Sequence, residues 1–256
     1  MKALTVFVKK EFLESVRTGK LLLLAILFLL FGIMNPAAAK LTPWLLKTMS
    51  ESMEQTGLLV TAVEVDALSS WTQFYKNLPM AMIAFLLIFE GILLGEYQRG
   101  TLVHMVTKGL SRWKILAAKA LALLLIWSGA YWLMYLVTYA YTAYFWDNSR
   151  ILHCGTAAFC AYITGLWMIS LLLLGSVLFR SMGGALGLTA AAAAVSYLCG
   201  ILPAVSEYTP TSLLSPLALL TGGTDVSGLL ITVFVTLAFA AVHMAAAVMC
   251  IKKRAI

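Results

Sequence analysis

Six stretches in which charged residues all but vanish divide the chain: about 21–39, 78–95, 120–146, 154–179, 182–202 and 227–251. Each is close to the roughly 20 apolar residues that a helix needs to cross a bilayer. None alternates polar and apolar residues with a period of two. A backbone in lipid must hydrogen-bond within its own segment, so six transmembrane helices are predicted. Only SMGG (181–184) separates the fourth from the fifth, which predicts a tight turn.

The segments between the spans have their own patterns. Over 2–18, Leu4, Val8, Phe12 and Val16 recur every four residues, with Lys10, Glu14 and Arg17 on another side. This reads as an interfacial helix on the inner membrane surface or, alternatively, as a plain basic flank orienting span one. Segment 40–77 is the long outer loop. It carries two candidate surface helices, one marked by Trp44, Leu45, Leu46, Met49 and Met53 and one by Val63, Leu68, Trp71 and Phe74. Segment 96–119 is basic, with a short stretch bracketed by Gly100 and Gly109, and Ser111 is placed to N-cap the helix into span three. It suits a cytoplasmic docking element or a solvated connector. In 203–226, Pro203, Pro210, Pro216 and Gly222-Gly223 flank the apolar TSLLSPLALL, which fits a re-entrant outer segment between spans five and six.

Composition turns that pattern into a class. Hydrophobic residues make up 62% of the 256 and charged residues 11%, and mean hydropathy is +0.93. Soluble domains run to about 45–50% and about 25%, so a soluble enzyme, a secreted disulfide scaffold and a disordered tail are excluded. The whole chain reads as a single transmembrane domain, 1–256. Fourteen of its eighteen Lys and Arg residues fall on one side of the six spans, and seven of eleven acids on the other. The positive-inside rule then puts both termini in the cytoplasm. The net charge of +7 is thereby a topology signal, and no nucleic-acid partner is expected. A cleaved leader ending at Ala37-Ala38-Ala39 is the competing reading of span one. The 20-residue lead with Glu11 and Glu14, and the long apolar run, argue for a retained span.

Candidate chemistry is sparse. Glu90 is the one carboxylate well inside a span, and it reads as neutral, as paired with a cation such as Lys119, or as lining a wet path. Gly183 and Gly187 form a GxxxG on span five, with Ala190 to Ala194 continuing a smooth surface for close helix packing, within the chain or between two copies. Tyr131, Tyr135 and Tyr139 share a face of span three, for ordinary packing or for a cavity that takes an amphipathic substrate. Cys154, Cys160, Cys199 and Cys250 lie in apolar runs with no CxxC pair, and so indicate neither a metal site nor a disulfide framework. No P-loop, GxSxG or HExxH pattern occurs, and nothing pairs Ser176 with His243 as an intramembrane hydrolase would require.

The run GEYQRGT, followed by SRWKILAAK, resembles the permeases of type-2 ABC exporters. The matching positions are Gly95, Glu96, Gly100, Thr101, Ser111, Arg112 and Lys119. KKEFLESVRTGK resembles that family's N-terminal interfacial elbow helix, and LLSP (213–216) its re-entrant outer segment. The resemblance implies a permease half of an ATP-driven exporter in a bacterial-type inner membrane. Its partners would be a second permease copy or a related permease, membrane lipid and two ABC ATPase subunits. ATP and Mg would be bound by those subunits, with no cofactor on this chain. Glu96, Arg99, Gly100, Thr101 and Arg112 would form the ATPase-coupling region. Amphipathic or hydrophobic cargo, such as a peptide antibiotic or drug, is the expected substrate class. A non-transporting membrane scaffold or assembly factor is the alternative.

Overall fold

The computed structural model describes residues 2–53, 65–98, 100, 107, 111–179, 181–223 and 226–253. Among them the chain is helical, without strands. The helices are α1 (Lys2–Arg17), α2 (Lys20–Met53), α3 (Ala67–Phe89), α4 (Gly91–Gln98), α5 (Arg112–Phe145), α6 (Cys154–Phe179), α7 (Met182–Gly200), α8 (Leu217–Leu220) and α9 (Val226–Lys253), with short 3-10 turns between α5 and α6 and between α7 and α8. Six of the helical stretches are long and apolar enough to span a membrane. The six-span, all-α membrane architecture read from the sequence is the one observed.

Local chemistry sets the ends. Gly19 adopts φ +72°, a conformation that favours glycine, and there α1 breaks from α2. Asp66 and Ser69 form a reciprocal capping box that starts α3. The Ser181 hydroxyl accepts from Gly184 N at 3.1 Å, so the tight turn into α7 is capped by the serine of SMGG. Ser111 occupies the N-cap position of α5 as expected, but its side chain makes no cap hydrogen bond.

Helices α2 and α3 outrun the apolar stretches that announce them. The segment read as an outer loop with two surface helices, 40–77, is helical over much of what is described, but those helices are continuous with the spans: α2 runs to Met53 and α3 starts at Ala67. Trp71 and Phe74 of this segment are core, fully buried and wedged against Tyr131, Tyr135 and Tyr139 of α5, whereas Trp44 is exposed. Once a helix is nucleated, each further residue adds a hydrogen bond, so it propagates while neighbours bury its apolar side. Below this lies an aromatic column of Phe85, Phe28, Trp127 and Tyr131, packed largely edge to face with centroids 5.2–6.1 Å apart.

Polar contacts fix the register of α2, α3 and α5. Pro36 has no N–H to give Gly32, four residues earlier, and the freed Gly32 carbonyl accepts from Thr138 Oγ1 at 3.1 Å. Thr138 in turn accepts from Asn35 Nδ2 at 3.1 Å, and Asn77 Nδ2 donates to Asn35 Oδ1 at 2.8 Å. Ser70 and Thr142 pair at 2.7 Å one level further along. Such bonds are worth about 0.6–2 kcal/mol each between membrane helices.

Helix α6 is the most enclosed span, held among α5, α7 and α9. Gly175 meets α7 where a Cβ would stand 2.9 Å from Ala185 Cα, so glycine is required for that approach. The segment from 203 to 223 folds back onto α6, α7 and α9. Leu213 is buried against Cys160 and Ile163, and Thr164 Oγ1 donates to Pro210 O at 3.2 Å. The Ser196 and Thr211 hydroxyls lie 3.0 Å apart.

Candidate functional site

Two features stand out: a buried ion-pair hub where α1, α4 and α5 meet, and a cavity between α3 and α7.

The hub is built around Lys119, whose ammonium is 1% exposed. Its Nζ lies 3.0 Å from Glu11 Oε2 of α1 and 3.1 Å from Glu96 Oε2 of α4, and donates to Ile92 O at 2.6 Å. Lys10 closes the circuit from outside, 2.7 Å from Glu96 Oε1 and 3.0 Å from both Glu11 Oε1 and Glu14 Oε2. Two buried carboxylates therefore face two ammonium groups, and Glu14 adds one partly exposed negative charge. Burial disfavours the Lys10 ammonium. Its hydrogen bond to Glu96 and the charges of Glu11 and Glu14 overcome that, and hold its pKa above the ordinary 10.5. Phe7 packs under both cations, with ring centroids 5.1 and 5.9 Å from Lys10 and Lys119. The carboxylates of Glu11, Glu14 and Glu96 lie close enough to suggest a metal site. Lys10 and Lys119 already sit among them and offset two of the three charges, so the donor set favours ion pairing.

This arrangement explains how α1 docks. Its inward face is Phe7, Glu11 and Ser15, while Phe12 and Val16 of the apolar stripe stay about half exposed. The stripe read from the sequence thus turns outward at Phe12 and Val16, with Leu4 and Val8 half-buried, and charge pairs α1 to the spans.

Among the other residues singled out, Glu96 is 4% exposed, so it faces into the protein. Gly100 ends α4 in a left-handed conformation, φ +66°. Arg112 opens α5, half-buried. Arg99 and Thr101 lie outside the described residues. Lys119, offered as a partner for Glu90, is taken by Glu11 and Glu96. Glu90 stands half-buried at the break between α3 and α4 and makes no ion pair among the described residues. Tyr131 is fully buried and donates to Ala158 O at 2.6 Å, Tyr135 sits 3.6 Å from Cys154 Sγ, and Tyr139 is 44% exposed. All three belong to the aromatic packing around Trp71. Gly183 and Gly187 have open space where a Cβ would go, so within one chain the close approach of α7 is made by Ala185 against Gly175. His243, for which no partner was legible in the sequence, has its Nδ1 3.2 Å from Ser170 Oγ. No acid orients that histidine among the described residues.

The cavity, about 820 Å³, is bounded by α3, α7, Met168 of α6 and the 211–217 segment. That is the size of a small-molecule site. Ala190, Ala193 and Ala194, read as a packing surface, line it; their small side chains leave the space open. Ile83, Leu87 and Tyr197 are exposed at its lip, so it opens sideways from the bundle. Tyr131, Tyr135 and Tyr139 are not on its wall.

No curated protein matches the chain. Residues 5–210 match a known family, described as ABC-2 family transporter protein, and the matched stretch takes in α1, the hub and the first five spans. The chain therefore belongs to the ABC-2 family of transporter proteins, whose members are generally the non-catalytic transmembrane permease subunits of ABC transporters.

Proposed function

We propose that the chain is the permease half of an ATP-driven exporter of amphipathic or hydrophobic molecules, with peptide antibiotics and drugs the favoured cargo and self-protection the favoured role. Both termini are cytoplasmic in this reading, which the Lys and Arg distribution supports. The carrying observation is the hub. It ties the elbow helix to the ends of spans two and three, the place where force from a cytoplasmic motor must enter.

Two ATPase subunits dock on α1 and the 97–110 segment, and two permease chains stand side by side. Glu96 acts from inside the protein, holding the elbow to the span ends. Arg99, Gly100, Thr101 and Arg112 belong to the docking region. The outward-facing Gly183 and Gly187 are available to a second permease, since among the described residues nothing lies within 4 Å of where a Cβ would stand. A permease without a nucleotide site changes state only through contacts that differ between the ATPase states. The apolar cavity, open toward lipid, supports amphipathic cargo.

The test is purification of the tagged chain in mild detergent with its ATPase co-expressed, followed by ATP hydrolysis and transport assays. A stoichiometric ATPase with turnover stimulated by cargo is expected, and charge reversal at Arg99 and Arg112 together should uncouple transport without loss of insertion. A chain that purifies alone even after gentle crosslinking would overturn this reading in favour of a membrane scaffold.

A further inference from the structure

The cavity wall has a polarity gradient along α3. One end is lined by Thr72 and Lys76 of α3 with Thr211 and Ser215 of the folded-back segment. The other is lined by Ile83, Leu86 and Leu87 with Leu186 and Met168. From Lys76 to Leu87 the helix rises about 16 Å. Lys76 is the one charged residue on the wall, and it makes no ion pair among the described residues. Lys76 itself is exposed, so its ammonium is free to meet a head group at the mouth of the cavity.

From this gradient we infer that the cavity binds an anionic amphiphile entering from the bilayer, its acidic head at Lys76 and its apolar body along Ile83, Leu87 and Ala190. The inference rests on the transporter reading for its purpose, and it narrows that reading: among amphipathic molecules, the cavity selects those with a negative head. The lone lysine supplies the charge complementarity, and a cationic head would meet an uncompensated like charge. The exposed lip gives lateral entry for a molecule already dissolved in lipid.

The experiment uses the full chain reconstituted in phosphatidylcholine vesicles, with a diazirine-bearing alkyl sulfate and the same chain carrying a trimethylammonium head, each at trace mole fraction. Crosslinked positions are mapped by mass spectrometry. The sulfate probe should label 72–87 and 186–197 about tenfold more than the ammonium probe, the scale of a charge-assisted hydrogen bond. Lys76→Gln should abolish that preference, Lys76→Arg should keep it, and Ala190→Trp, which fills the cavity, should suppress both probes. Equal labelling of the wild-type chain by the two heads overturns the inference without recourse to any variant. So does a preference that survives Lys76→Gln, as expected for a lysine that merely snorkels to the headgroups. Labelling needs no ATPase, so the two readings fail separately. Head preference in a chain that never recruits an ATPase upholds the binding site and removes its transport role, while cargo export without head preference overturns the binding inference alone.

Discussion

Replacing Lys119 with Met tests the hub most directly, because the side-chain length is nearly kept and only the charge is lost. The wild-type ammonium is almost wholly buried, with carboxylate oxygens at 3.0 and 3.1 Å. At an effective dielectric near 20, one pair at that distance attracts by about 5 kcal/mol. Desolvation of both partners offsets much of that, so the intact hub adds little net stability. Removing the cation alone is different: Glu11 and Glu96 remain buried and like-charged beside the half-exposed Lys10. Breaking a buried pair in this way costs about 3–5 kcal/mol.

Unfolding with SDS in mixed micelles, followed by the fluorescence of core residues such as Trp71 and Trp127, reads that cost. Lys119→Met should lose about 3–5 kcal/mol, whereas the neutral triple variant Glu11→Gln, Glu96→Gln, Lys119→Met should stay within about 2 kcal/mol of wild type. A single variant that unfolds within about 1 kcal/mol of wild type would refute the buried-pair argument, as it would mean water reaches the carboxylates. A triple variant as damaged as the single one would refute the attribution to charge and leave lost packing as the cause.

Further outcomes follow from the same geometry. Gly175→Val should destabilise the protein by about 1–3 kcal/mol, since its branched side chain meets the Ala185 backbone. Gly183→Leu with Gly187→Leu should leave monomer unfolding unchanged, because both sites are open, and should lower crosslinking between permease copies. Asn35→Val should cost about 1–2 kcal/mol in the same unfolding assay, as Asn77 and Thr138 lose a shared partner. For Lys10 the folded pKa is raised, so its stabilising contribution is fully present below the ordinary 10.5 and fades only as pH climbs through the higher folded value. The stability difference between wild type and Lys10→Gln should accordingly be flat through neutral pH and shrink only in strong alkali.

How much of this was legible in the sequence follows from which forces are local. Lipid demands roughly 20 apolar residues per crossing, so hydropathy alone located all six spans. It misplaced the ends of α2 and α3, because a helix stops where packing and capping stop it, and Trp71 and Phe74 pack as well beyond the apolar run as within it. Helix α1 was visible as an amphipathic segment, but the apolar period says nothing of which side docks on the spans. The face that docks is the one with Glu11, whose partner lies 108 residues away.

A signal for that partner was nonetheless present. Lys119 sits in AAKALALLL, with Ile115, Leu116, Ala122 and Leu123 at its helical neighbour positions and no acid within a turn. A lysine so placed has either to reach the membrane surface or to find a carboxylate on another element, and burial at 1% shows that it did the second. The same logic, applied to Glu90, favoured a pairing with Lys119 that was chemically sound. It failed because Glu96, further along the same span, and Glu11 on α1 already hold that cation. The cavity was harder to foresee. Small residues permit close helix contact, but they also leave room wherever the facing helix stands away. Sequence alone cannot separate Gly175 meeting Ala185, which closes one end of α7 onto α6, from Ala190, Ala193 and Ala194, which leave the other side of that helix open toward α3.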